Sequence, residues 1–163
     1  MPTTAPSPVP QPTKILVLRF PGNPVPVQSA RFARNGRPYQ PQEILNWKRF
    51  IHISARHQTA SFRTHANPCV FDHGPLQVEI VYNFSLPKTA KKAAKVAAGL
   101  GLPVRKSTRP DVTDNLNKGL VDALTGVIWP DDGIISDCIA RKRFVNGAPY
   151  TTVEVREMPE FGV

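Results

Sequence analysis

Asp111, Asp114, Asp122, Asp131, Asp132 and Asp137 are six of the twelve acidic residues in this chain of 163, and they fall in one stretch. That stretch reads RPDVTDNLNKGLVDALTGVIWPDDGIISD, inside a protein whose formal net charge is +9. A basic protein attracts polyanions, and carboxylates crowded within it oppose the attraction. A divalent cation reconciles the two: carboxylates hold the metal, the metal meets a phosphate, and the surrounding Lys and Arg hold the rest of the backbone. The chemistry implied is that of a metal-dependent nuclease or another phosphoryl-transfer enzyme.

Within the stretch, Leu116, Leu120, Val121, Ala123 and Leu124 define the apolar face of a helix over 115–125, with Gly126 just past its end. Asp111 or Thr113 is the expected N-cap. The opposite stripe, Asp114, Lys118 and Asp122, is explained by i,i+4 ion pairs worth roughly 0.2–0.5 kcal/mol each. Asp131 and Asp132 belong to a second element, the turn Trp129-Pro130-Asp131-Asp132-Gly133. Adjacent aspartates are common in turns and say little alone. With Asp111 and Asp114 they offer a third and a fourth carboxylate for one cation. Mg²⁺ keeps several of its waters, so two or three carboxylates suffice. Lys118, one turn beyond Asp114, is placed to neutralise charge on a scissile phosphate.

The elements that must position these groups are legible in outline. A hydrophobic content of 40% and a charged content of 20% fit one globular domain. A pI near 10.0 favours a nucleic-acid partner. Residues 1–13 are Pro-rich and are expected to form a disordered or polyproline-II tail. The expected domain spans 14–157, and 158–163 form a C-terminal tail. Residues 14–20 read as a strand, followed by a long loop in which Arg31, Arg34 and Arg37 are interleaved with Phe32 and Tyr39. That pattern suits phosphate contact and base stacking, and equally describes a solvated loop. A packed helix is expected over 42–57 from Ile44, Leu45, Trp47, Phe50, Ile51 and Ile53. Residues 58–74 read as an irregular insertion; His65, Cys69 and His73 within it match no metal pattern, and no metal is assigned there.

Residues 75–86 alternate as a strand. Lys88, Lys91, Lys92 and Lys95 follow at i, i+3, i+4 and i+7, one basic stripe of a helix that stops at Gly99, with a DNA contact or a plain solvated face as its two readings. Two last strands, 134–145 and 150–157, flank Asn146-Gly147, a strong hairpin signal. Alternation puts Arg141 and Arg143 on one face of the first and Lys142 on the other. Two cysteines are too few for a disulfide framework, no run of about 18 apolar residues spans a bilayer, and the N-terminus lacks a secretory pattern; a cytoplasmic location is expected, with no membrane partner.

The ordered elements Arg109-Pro110-Asp111-x-x-Asp114-Asn115-Leu116-x-Lys118, Asp122-Ala123-Leu124-x-Gly126 and Trp129-x-Asp131-Asp132, together with the segment from Pro24 to Phe32, resemble the RusA family of Holliday junction resolvases. The resemblance covers roughly 14–157. It implies an α/β (α+β) fold with a small mixed β-sheet of about four or five strands flanked by two or three helices. The activity it implies is Mg²⁺-dependent cutting of four-way DNA junctions by paired symmetric nicks from a homodimer, with Mn²⁺ as a possible substitute metal. By resemblance Asp111, Asp114 and Asp132 hold the metal with Asp131 in support, and Lys118 assists catalysis. Arg31, Arg34, Lys88, Lys91, Lys92, Lys95, Arg109, Arg141 and Arg143 are the expected DNA contacts. The alternatives are a nuclease for flaps, forks or other branched DNA, and a junction-binding protein whose active site has decayed. The chain departs from the family in two places: Asp-x-x-Asp stands where the family usually has Asp-x-Asp, and Val27 replaces a lysine often found there.

Overall fold

A ten-residue strand, Leu76–Ser85, organises the molecule, because its neighbours on both edges are themselves long strands. The structure, a computed structural model, describes residues 14–27, 31–32 and 36–159, and their side chains except those of Arg31, Phe32, Pro38 and Asp114. Among the described residues the strands are β1 (Ile15–Pro21), β2 (Arg31–Phe32), β3 (Pro38–Tyr39), β4 (Leu76–Ser85), β5 (Val104–Arg105), β6 (Ile135–Val145) and β7 (Tyr150–Glu157); the α-helices are α1 (Gln42–Gln58), α2 (Lys92–Gly99) and α3 (Lys118–Leu124). Five strands form one mixed sheet in the order β1-β7-β4-β6-β5, while β2 and β3 pair separately. This is the expected α+β architecture. β4 runs parallel to β6 and antiparallel to β7.

Strict alternation buries one face of the sheet. Leu16, Leu18 and Phe20 of β1, Leu76, Val78, Ile80 and Tyr82 of β4, and Val153 and Val155 of β7 all point into one core. Leu116, Leu120 and Leu124 close that core from the helical side, with Ile51 and Ala55 of α1. Trp129, fully buried, plugs it at the turn before β6.

Four expectations need correction. Asn146-Gly147 does not close a hairpin between β6 and β7, because β4 lies between them. The long, apolar β4 takes the central position, and the connection crosses its end, where Ser85 Oγ donates to the Gly147 carbonyl at 2.8 Å. Residues 58–74 are no mere insertion: Cys69, Val70 and Phe71 are buried, and the Val70 and Phe71 amides bond to the carbonyls of Val127 and Ile128. In α1 only Ile44, Ile51 and Ala55 are buried, whereas Leu45, Phe50 and Ile53 stay exposed, since the helix packs a single stripe, chiefly against α3. Finally α2 begins at Lys92, so Lys88 lies in the turn after Pro87 and the four lysines share no helical stripe. The helix ends at Gly99 as expected, and Gly101 (φ +74°) closes the cap beyond it, with the Gly101 amide on the Ala98 carbonyl and the Leu102 amide on that of Ala97, a Schellman arrangement.

Candidate active site

Asp111 ends the loop that enters the α3 region and caps it. Its backbone is extended, and its carboxylate accepts from the Asn115 amide at 3.1 Å and from Asn115 Nδ2 at 2.6 Å. Asp111 is therefore the N-cap, one of the two residues expected there. The turn that follows, Val112–Asn117, is π-helical, and α3 begins at Lys118. A π turn closes i→i+5 and so takes up one residue more than an α turn, and such turns recur at functional sites. The Asp-x-x-Asp segment thus enters α3 through a turn with room for one residue more than an α turn. Asp114 lies within the turn; its side chain is outside the described residues.

Two lysines secure the loop that leads to Asp111. Lys142 Nζ donates to the carbonyls of Thr108 at 2.8 Å and Pro110 at 2.5 Å, and Lys106 Nζ donates to Thr108 Oγ1. Burial, and then repulsion from Lys142, lowers the pKa of Lys106. From the core, Tyr82 reaches the same turn: its hydroxyl donates to Asn117 Oδ1 at 3.0 Å, and Asn117 Nδ2 faces Cys138 Sγ at 4.0 Å. Burial drives the Tyr82 pKa far above its ordinary range, so the phenol stays neutral and acts as a donor. Pro26, Arg109, Pro110, Asp111 and Asn115 line a recess of about 540 Å³ that opens beside the Asp111 carboxylate.

The N-terminal segment is stitched to the helix at this point. The Val27 amide donates to the Asn115 carbonyl at 2.8 Å. Gly119 makes the approach possible, since a Cβ there would stand 2.1 Å from Val27 Cγ2. Val27 is thus a packing residue, 7% exposed, and not the site of a missing surface charge.

The second acidic element is built on its own. Asp131 Oδ1 accepts the Gly133 amide at 2.7 Å and caps a 3₁₀ turn, Asp132–Ile134, which feeds β6. Asp131 and Asp132 are both exposed. Both acidic segments are anchored on β6, one through Cys138 and Lys142, the other at its start. Among the described residues, no three His, Cys, Asp or Glu side chains are grouped closely enough to hold a metal ion. The available donors, the carboxylates of Asp111, Asp131 and Asp132, are hard oxygens of the type Mg²⁺ takes. Lys118 is exposed at the start of α3. Asp122 does not serve an i,i+4 pair; Lys48 of α1 holds it at 3.0 Å.

Of the expected DNA contacts, Arg109 lines the recess beside Asp111. Lys88, Lys91, Lys92 and Lys95 are exposed on and before α2. Arg141 and Arg143 share a sheet face opposite the one from which Lys142 reaches the Asp111 loop, and Arg141 is ion-paired with Glu79. The Arg31 side chain and all of Arg34 lie outside the described residues. Sequence reasoning missed Asn115, Asn117, Tyr82 and Lys142 as parts of this site. Asn115 carried a readable signal, an amide four residues after an N-cap carboxylate, but the contacts of Tyr82 and Lys142 depend on the sheet register.

Fold and site together define an α+β domain whose acidic loop is held among basic side chains, suited to a polyanionic backbone. The endodeoxyribonuclease RusA family model matches residues 21–156, and the chain belongs to that family. An uncharacterized protein of Bacillus subtilis (strain 168), YqaN, is 29% identical over 132 residues, covering 77% of this chain and 83% of the relative. Family membership implies endodeoxyribonuclease activity directed at branched DNA junctions. Among the described residues no helix is long and apolar enough to cross a membrane.

Proposed function

We propose that this chain resolves four-way DNA junctions as a Mg²⁺-dependent endonuclease, nicking two symmetric strands as a homodimer. The observation that carries the reading is the Asp111 carboxylate, held at both oxygens by Asn115, beside a recess that Arg109 also lines. Asp111, Asp114 and Asp132 would hold the ion, with Asp131 in support, and Mn²⁺ is expected to substitute. Bound there, Mg²⁺ would supply charge stabilisation on the phosphate and a more acidic water. The chain's own residues do the rest: Asn115 fixes the carboxylate, Lys142 fixes the loop, Lys118 adds positive charge near the phosphate, and Arg109 draws the strand to the recess. A homodimer suits the substrate, because a four-way junction has two-fold symmetry and must be cut at two equivalent strands.

The test uses a synthetic immobile four-way junction beside linear duplex and flap controls, with and without Mg²⁺. Paired symmetric nicks on the junction, lost on Asp111→Asn or Asp132→Asn substitution, are the expected result. Preferential cutting of flaps makes it a nuclease for other branched DNA. Binding without cutting in either Mg²⁺ or Mn²⁺ makes it a junction-binding protein.

A further inference from the structure

The sheet face turned away from the Asp111 loop sorts its charges by position. Along most of it arginine meets glutamate: Arg141 pairs with Glu79, and Arg156 with Glu154. At the far end the pairing stops. Tyr150 of β7 stands opposite Asn83 of β4, Asn83 opposite Arg143 of β6, and Arg143 opposite Arg105 of β5, so these four side chains form one row across the sheet. Arg19 of β1 extends the row, its guanidinium 3.8 Å from the centre of the Tyr150 ring. Among the described residues none of Arg19, Arg105 and Arg143 has a carboxylate in ion-pair range. Like charges directly opposite in a sheet repel, so Arg105 and Arg143 face each other at a cost that an anion between them would remove.

The row is recessed. Arg19, Asn83, Arg143 and Tyr150 line a recess of about 480 Å³, walled by the loop after α2. It adjoins a second recess of about 350 Å³, lined by Arg105, Arg141, Lys142 and Arg143. Among the described residues, neither has an acidic side chain in its lining. Asn83 is 4% exposed, a buried amide at the floor whose Nδ2 donates to the Val81 carbonyl at 3.2 Å. Unpaired guanidiniums over a polar floor suit phosphodiester oxygens, which arginine takes with two donors at once.

We propose that Arg19, Arg105 and Arg143 form a second DNA surface, on the sheet face opposite the Asp111 loop. It takes the phosphates of an arm other than the one being cut. The proposal rests on the reading that the substrate is branched DNA. β6 then serves both faces: Lys142 reaches the Asp111 loop from one, and Arg143 meets the second arm from the other.

The experiment measures binding of a fluorescently labelled immobile junction, and of a linear duplex equal to one pair of stacked arms, by anisotropy in EDTA over a range of salt. Arg105→Ala/Arg143→Ala should weaken junction binding about 10-fold or more and reduce the log–log salt slope by about two, since each phosphate contact contributes roughly 0.9. Duplex binding should change less than about 3-fold, and Arg143→Lys should keep most of the wild-type slope. Thermal melting of each variant checks the fold. Unchanged junction slope and affinity overturn the proposal, as does an equal loss for junction and duplex, which means a single DNA surface. Competition by deoxynucleoside monophosphate in wild type but not in the double variant also overturns it, assigning the recess to a free nucleotide. Cleavage is scored separately: a protein with the expected slopes that cuts nothing refutes the nuclease reading alone, while one that cuts normally with unchanged slopes refutes the second surface alone.

Discussion

Asn115 holds both carboxylate oxygens of Asp111, the backbone amide at 3.1 Å and the side-chain amide at 2.6 Å. An ionised carboxylate offers about four lone-pair sites, so two remain for a cation while the group is held still. Asp111 thus has a structural duty and a proposed chemical one, and substitutions can separate them. Asp111→Asn keeps a capping oxygen and loses the charge: it should melt within a few degrees of wild type and lose at least about 100-fold in Mg²⁺-dependent cleavage. Asp111→Ala should also cost about 1 kcal/mol of stability as the cap is lost. Full activity in the asparagine variant would leave Asp111 as a cap only.

The side-chain half of the grip is tested by Asn115→Ala, which leaves the backbone amide in place. Removing a partner that orients a metal-holding carboxylate typically costs 10- to 100-fold in metal affinity or activity. The expected result is a Mg²⁺ titration of cleavage displaced upward by about that factor, with activity recovering toward saturation. A drop in rate at saturating Mg²⁺ with an unmoved midpoint would assign Asn115 to the DNA and not to Asp111.

Lys142 binds the two carbonyls that flank Arg109. Lys142→Met keeps the aliphatic stem and removes the donors, so the loop that delivers Arg109 and Asp111 loses its tether. Hydrogen bonds from a charged group are worth roughly 1.5–3 kcal/mol each, and exposure of this loop puts the loss at the lower end. Cleavage should fall more than stability does, and Lys142→Arg should restore part of it. Equal activity in Lys142→Met would mean that the loop holds its shape without the lysine.

The sheet was readable from residues 14–20, 75–86, 134–145 and 150–157 because each alternates or runs apolar between turn residues, and local pattern is what those stretches carry. Strand order was not readable. Asn146-Gly147 signals a tight hairpin, yet the order depends on which strand buries both edges, and β4 wins the centre through contacts far away in sequence. The site divides the same way. Asp111 as a cap followed from its position before an apolar helix. The pairing of Asp122 with Lys48 did not, because i,i+4 spacing predicts a partner on the same helix and the real one comes from α1. Alternation alone puts Lys142 on the face away from Arg141 and Arg143, but its hold on Pro110 is a tertiary fact. Val27 reads in the sequence only as a departure from a lysine, because nothing local shows that Gly119 leaves room for it against the helix.

That last contact gives a sharp test of how the N-terminal segment meets the site. Gly119→Ala would place a methyl 2.1 Å from Val27 Cγ2. Overpacking of this kind costs typically 1–3 kcal/mol, which outweighs the roughly 0.5–1 kcal/mol that alanine gains over glycine within a helix. The net effect should be a lower melting temperature. It should also weaken the bond from the Val27 amide to the Asn115 carbonyl, and through Asn115 the hold on Asp111. Val27→Ala/Gly119→Ala removes the obstructing methyls and should recover much of the stability lost in Gly119→Ala, a strongly non-additive pair. Val27→Lys separates the two explanations of this position. A lysine at a surface DNA contact would strengthen junction binding and leave melting unchanged, whereas at a site 7% exposed it should destabilise the fold by several kcal/mol and weaken binding only through unfolding.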